Sequence, residues 1–199
     1  MRGLALSGGG IKAAAHIGAL KAFEENNIKF DCVSGASSGS IIATMYALGY
    51  SSDEMWKMFN RYCKKITYVE WKQVCKMIIG LLFTRRLVID GLNSGKVIEK
   101  IIKEICEDSQ IENINQINMP LMISMVDLQK GTVYIASSKE VRANLLDNTK
   151  YITDIPVATA VRASCSFPVV FSPCRYDGIQ LIDGGTRENL PWKGLKDIG

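Results

Sequence analysis

The sequence predicts an α/β fold: a mostly parallel central sheet flanked by helices, with a helical insertion around residues 52–106. Three observations predict it. The N-terminal part of the chain alternates short apolar strands with helices. The first two strands each run into a glycine-containing turn, Ser7-Gly8-Gly9-Gly10 and Gly35-Ala36-Ser37-Ser38-Gly39. A later apolar strand ends in Asp183-Gly184-Gly185. Strands alternating with helices across tight turns are the pattern of parallel strands covered on both faces.

In chain order, Arg2 to Leu6 is a short buried strand and Ser7 to Gly10 a tight turn. Ile11 to Asn26 is a helix, because Ile17, Leu20 and Phe23 recur at helical spacing and Ala is frequent. Phe30 to Ser34 is the second strand, and Ser40 to Leu48 a small-residue helix. Ser52 to Cys106 is largely helical, with a break near Asp90 to Ser94. Pro120 to Asp127 and Thr132 to Ser137 are strands joined at Gln129-Lys130-Gly131, and Ile155 to Ser164 is a short helix. Ser166-Phe167-Pro168 and Ser172-Pro173 punctuate a loop before the last strand, Ile179 to Ile182. The chain stops at Asp197-Ile198-Gly199, a place typical of entry into another strand. The C-terminal part of the fold is therefore expected to be absent.

The 199 residues, 47% hydrophobic and 22% charged, suit one domain able to bury a sizeable core. The apolar start is too short for a secretory signal. The run Met77-Ile78-Ile79-Gly80-Leu81-Leu82-Phe83 is far short of the roughly 20 residues that span a bilayer. Both point to a cytoplasmic protein. The six cysteines form no Cys-x-x-Cys pair, and one histidine leaves little for a zinc site. Reduced thiols are expected; a Cys165–Cys174 disulfide is possible but not favoured.

The Gly-x-Ser-x-Gly pattern asks for a nucleophilic serine, Ser37, on a sharp strand-to-helix turn, with Gly35 and Gly39 relieving the crowding. Read alone, Ser37 and Ser38 equally suit helix caps. On such folds the usual order is Ser, then Asp or Glu, then His. Here the only histidine, His16, precedes Ser37. If Ser37 is a nucleophile, its base is therefore a carboxylate or His16, and a structural, hydrogen-bonded role suits His16 better. Asp183 is the best base candidate, ending an apolar strand and left uncrowded by Gly184 and Gly185; read alone, Asp-Gly-Gly is more often a turn.

Gly8-Gly9-Gly10-Ile11-Lys12 lies between a strand and a helix. Its N–H groups suit an oxyanion hole or a phosphate cradle. Gly8-x-Gly10-x-x-Ala13 also fits a dinucleotide fingerprint, which wants an acidic residue about 20 positions on, at the end of the second strand. Asp31 has that spacing but sits at the strand's start.

These elements together resemble the patatin-like phospholipase family: a glycine-rich oxyanion loop, a Gly-x-Ser-x-Gly turn and a distant Asp-Gly-Gly. Ala15-His16-Ile17-Gly18-Ala19-Leu20, Ala160-Val161-Arg162-Ala163-Ser164 with Phe167-Pro168, and Asn189-Leu190-Pro191 extend the likeness over nearly the whole chain, most closely to small bacterial members. Ala13 departs from the family's usual glycine. The resemblance implies a three-layer α/β/α fold and a serine-dependent acyl-lipid hydrolase of phospholipase A or lysophospholipase type. Ser37 and Asp183 would form its dyad, with Gly8, Gly9, Gly10, Ile11, Lys12 and Ser38 around the oxyanion. Neither cofactor nor metal is implied, and no nucleic-acid partner. The alternatives are a general esterase or thioesterase on soluble acyl groups, a nucleotide-binding oxidoreductase using the Gly8–Gly10 loop, and a lipid-binding scaffold without turnover.

Charge is uneven. From Lys57 to Lys103, eleven Lys or Arg face Glu70, Asp90 and Glu99, net +8, against +4 for the chain. Trp56, Phe59, Tyr62, Trp71, Ile78, Leu82 and Phe83 interleave with Lys64, Lys65, Lys72, Lys76, Arg85 and Arg86. Such helices suit a lid or peripheral contact with an anionic membrane through residues 56–87, or an ordinary helix pair packed on the core.

Overall fold

The computed structural model describes residues 1–66, 91–141 and 148–196. Among these residues is a seven-stranded sheet, one side of which is three parallel strands, β1 (Gly3–Leu6) at the edge, then β2 (Cys32–Ala36) and β3 (Leu121–Asp127). Antiparallel β4 (Val133–Ser137) follows β3 through the expected hairpin, and β5 (Thr149–Ile152) lies parallel to β4. A hairpin of β6 (Cys174–Tyr176) and β7 (Ile179–Asp183) completes the sheet, with β7 antiparallel to β3.

β3 serves as a ruler for two other strands. Its first half pairs with β2, ending with Ala36 opposite Ser124. Its second half pairs with β7, ending with Asp183 opposite Met125. β2 and β7 thus run toward each other along one edge of β3, and their C-terminal ends meet.

Helices flank both faces. α1 (Ala14–Glu25) follows β1 after a 3-10 turn over Gly10–Ala13, and α2 (Ser38–Ala47) follows β2. α2 lies on the Gly35 face: a Cβ on Gly35 would stand 2.5 Å from the Gly39 carbonyl oxygen. α6 (Lys193–Lys196) lies on the other face, where a Cβ on Gly194 would stand 2.7 Å from Met122 Sδ. Met122 pairs with Ser34, and neighbouring residues of a strand point to opposite faces.

α3 (Ser52–Tyr62) opens with a capping box, in which Ser51 N–H donates to Glu54 Oε2 (2.8 Å). α4 (Lys96–Glu107) presents Ile98, Ile101, Ile102 and Ile105 on one buried face. Tyr62 of α3 donates to Glu104 of α4 at 2.7 Å. α5 (Val157–Ser164) packs onto β3 and α4. The core is continuous through Val33, Ile42, Ile102, Leu121, Ile123 and Leu181.

Several expected boundaries move. The second strand is displaced two residues to Cys32–Ala36, because ladder pairing with β1 and β3 continues up to the turn. The first helix begins with a 3-10 turn, set by Gly10 at φ 60°. β5 and β6 were not legible as strands. The β6–β7 turn did carry a local signal: Asp177 and Gly178, both at positive φ (45° and 74°), make the two-residue turn that Asp-Gly favours. Within the insertion, residues 67–90 lie outside the described residues, and with them most of the basic and aromatic set. Among the described residues no helix is long and apolar enough to cross a membrane.

Candidate active site

Ser37 occupies the turn between β2 and α2 with φ 51° and ψ −132°, a region that non-glycine residues rarely enter. The turn is sharp enough that its flanking residues admit no side chain. A Cβ on Gly39 would come within 2.6 Å of the Ser7 carbonyl oxygen, in addition to the Gly35 contact above. The serine's own backbone is fastened at both ends. Its N–H donates to Ser164 Oγ (2.9 Å), and Ser164 Oγ in turn donates to the Ser124 carbonyl (2.7 Å). Its carbonyl accepts from Ser40 Oγ (2.6 Å) and from the Ser40 N–H (2.9 Å). Ser164 and Ser40 are fully buried, so the turn is held by hydroxyls shielded from water.

Asp183 ends β7 and is 2% exposed. Its Oδ1 accepts from the Gly185 N–H (2.7 Å), and its N–H donates to the Ser166 carbonyl (3.1 Å). Burial pushes its carboxyl above the usual carboxylate range; the neighbouring Ser37 side chain and the Gly185 N–H oppose that only in part. Cys165 is buried against the same carboxylate and beside Ser40, and burial drives its thiol strongly upward. Cys165 and Cys174 are both free thiols.

The glycine loop abuts the serine. A Cβ on Gly8 would stand 2.8 Å from Ser37 Cβ and 2.7 Å from Asn189 Oδ1. The Gly8 N–H donates to Asn189 Oδ1 (3.0 Å) and to the Asn189 carbonyl (3.3 Å), while Asn189 Nδ2 donates back to the Gly8 carbonyl (3.5 Å). The Gly9 N–H donates to Ser38 Oγ (3.1 Å), and Gly9's carbonyl accepts from the Lys12 N–H (3.2 Å). His16 Nε2 donates to the Ser7 carbonyl (2.9 Å), pinning the start of the loop, which is a structural role. The N-terminus of α2 lies at Ser38 and directs its positive dipole end here.

These groups meet at one end of a cavity of about 600 Å3. Gly8, Gly9, Gly10, Ile11, Ser37, Ser38, Asp183, Gly185 and Asn189 line that end. The remainder is apolar: Ile41, Ile42 and Met45 from α2, Met55, Met58 and Phe59 from α3, Ile98, Ile101 and Ile105 from α4, and Phe167, Val170 and Phe171 from the loop after α5. Of the residues singled out from the sequence, Lys12 lies outside this lining and is exposed, and Gly184 is buried behind it. Gly35 and Gly39 act behind the turn, as their contacts show.

Two participants carry no strong sequence signal. Ser164 is one small residue in an alanine-rich helix. Asn189 follows the Asp-Gly-Gly strand, and only the segment Asn189-Leu190-Pro191 marks it. Asp31, whose spacing fits a dinucleotide site, accepts the Arg2 N–H (2.6 Å) at the start of β2, the strand end remote from the glycine loop. Among the described residues no group of three or more His, Cys, Asp or Glu is placed to hold a metal ion.

Comparison with known proteins agrees over almost the whole length. The sequence model of the patatin-like phospholipase family matches residues 4–196. The protein YqhO of Bacillus subtilis is 31% identical over 192 residues, which is 93% of this chain and 63% of that protein. Lysophospholipase NTE1 of Candida albicans is 28% identical over 200 residues, covering 99% of this chain and 12% of the enzyme. The chain thus spans less than two thirds of these relatives. Among solved structures, VipD from Legionella pneumophila superposes with a TM-score of 0.55 at 17% identity, over 96% of this chain and 47% of VipD. That likeness concerns the fold.

Proposed function

The chain belongs to the patatin-like phospholipase family, and we propose that it is a lipid acyl hydrolase working through a Ser37–Asp183 dyad. The observation that carries this reading is the meeting of Ser37 with a buried carboxyl of raised proton affinity, Asp183, in the lining of one apolar cavity. A carboxylate with a raised pKa is a better proton acceptor near neutrality than an exposed one.

In this mechanism the acyl chain of a phospholipid or lysophospholipid lies along α2, α3 and α4, with its ester carbonyl at Ser37. Ser37 Oγ attacks the carbonyl carbon while Asp183 takes its proton. Charge develops on the carbonyl oxygen, and the N–H groups of Gly10 and Ser38, aided by the α2 dipole, stabilise it. Gly9 contributes once Ser38 Oγ releases its N–H. The C–O bond to the leaving alcohol breaks, and protonated Asp183 returns the proton to the departing oxygen. Water, deprotonated by Asp183, then attacks the acyl-serine, and the fatty acid leaves with Ser37 restored. Asn189 and Ser164 are positioning residues, one holding Gly8 and the other the Ser37 N–H.

The size and apolarity of the cavity favour a long acyl chain over the short or soluble acyl groups of a general esterase or thioesterase. The position of Asp31 speaks against the nucleotide-binding oxidoreductase. The test is labelling by a fluorophosphonate probe. Labelling is expected to vanish in Ser37→Ala and to fall sharply in Asp183→Asn. Labelling that survives Ser37→Ala would remove Ser37 as nucleophile.

A further inference from the structure

Loops at the cavity mouth carry exposed apolar side chains. Ile11 (65% exposed) lies on the glycine loop, Phe167 (56%) and Val169 (61%) follow α5, and Leu190 (47%) follows Asn189. Scattered exposed apolar residues are ordinary on any protein. Val169 is not, because it sits at φ 71°, and a β-branched residue in the left-handed region is a genuine outlier. The surroundings hold it there. Its carbonyl accepts the Leu92 N–H (3.0 Å), Val170 accepts the Asn93 N–H (2.9 Å), and the Phe171 N–H closes back onto the Phe167 carbonyl (2.9 Å). Strain of this kind persists only where the fold over-determines it, and it clusters at functional positions. Packing does not require it, since the Val169 side chain points mostly into solvent.

We propose that the Phe167–Val169 tip, together with Ile11 and Leu190, is a docking rim that seats the cavity mouth on an anionic phospholipid surface. The proposal deepens the hydrolase reading and rests on it for the bilayer as substrate source. Two features select a lipid surface as the occupant. Ile11 and Phe167 line the apolar cavity and are also exposed, and Val169 and Leu190 directly adjoin its lining residues Val170 and Asn189, so the rim is continuous with the acyl site. Seated in the interface, it lets a chain pass from bilayer to cavity without crossing water. Lys12, exposed beside Ile11, adds charge complementary to anionic head groups. This places the contact at the loops of the mouth.

Sedimentation with vesicles of four parts phosphatidylcholine to one part phosphatidylglycerol tests it, using full-length Ser37→Ala protein so that turnover plays no part. Val169→Asn is the informative variant, because Asn tolerates a left-handed φ. Both a structural and a docking role expect it to melt higher. Only docking expects its vesicle affinity to fall, by about fivefold for an exposed valine side chain, and Val169→Trp to raise it. Trp56→Ser, on α3, is expected to leave affinity unchanged. Unaltered binding in both Val169 variants would overturn the proposal. So would a loss confined to Trp56→Ser, or a wild-type dimer in gel filtration that Val169→Asn dissolves. Failure of the hydrolase reading would appear in the probe experiment and leave vesicle affinity untouched.

Discussion

Ala36 and Asp183 stand opposite consecutive residues of β3, Ser124 and Met125. Because Ser37 follows Ala36 directly, that register sets a serine and a carboxyl beside each other from two strands approaching head to head. The geometry is rigid: β3 is buried along its entire length and is paired with β4 on one edge and with β2 and β7 on the other.

The raised proton affinity of Asp183 ties activity and stability to pH in opposite senses. As the proposed base it must be ionised, so kcat/KM falls on acidification through a pKa above the ordinary 3.8. For stability, the folded state holds this proton more tightly than the unfolded chain. Its favourable contribution is therefore complete below the unfolded value and lost as pH rises through the folded one. Asp183→Asn, which keeps the shape without the charge, is expected to be inactive yet to melt higher at pH 7. Roughly 2–4 °C is gained per kcal/mol at this chain length. The advantage disappears near pH 4, and calorimetry across that range checks it.

Backbone strain at Ser37 separates two substitutions that both remove the hydroxyl. Ser37→Gly relieves the positive φ and Ser37→Ala does not. The glycine variant is expected to be about 1–3 kcal/mol more stable than the alanine variant in denaturant titration. Equal stabilities would show that the turn is unstrained.

Asn189 clasps the Gly8 peptide through both its N–H and its carbonyl. Asn189→Ala frees the glycine loop beside Ser37. The expected result is a fall in kcat of roughly 10- to 100-fold with KM little changed, since misplacing an otherwise intact group costs rate more than binding. Steady-state kinetics on one ester substrate provides the check.

Ser164→Ala removes the acceptor of the Ser37 N–H in a site without solvent. It is expected to cost about 1–3 kcal/mol in stability and to slow probe labelling. Ser164→Thr, which restores the hydroxyl, is expected to recover labelling where Ala does not.

In the proposed hydrolase, lining by Ile42, Met55, Ile101 and Ile105 makes the cavity a measure of acyl length. Along a series of p-nitrophenyl esters, kcat/KM is expected to rise by up to about fourfold per added methylene until the cavity is full. Ile105→Trp is expected to move the optimum to shorter chains.

Much of the site was legible because its signals are local. Glycines flanking Ser37, glycines after β1 and the Asp-Gly-Gly end of β7 each encode a backbone shape within a few residues. The sole histidine precedes the serine, which leaves a carboxylate as the base a later strand can supply. Strand boundaries were less legible. Gly35 reads as a turn residue, yet it lies within β2, paired with Leu6 and Ile123, and it is glycine because α2 approaches too closely for any side chain there. Cys174–Tyr176 and Thr149–Ile152 are too short to show periodicity, and they become strands through the ladders they join.

By itself the sequence determined the α/β class, the turn that carries Ser37, and the carboxylate that ends the last strand. Tertiary structure alone decided that these meet, that Ser164 and Asn189 brace them across 127 and 181 residues, and that an apolar cavity opens at their side. The physical reason is the range of the forces involved. Turn chemistry and strand propensity act between near neighbours, whereas register along β3 and hydrogen bonds among buried hydroxyls exist only after the core has packed.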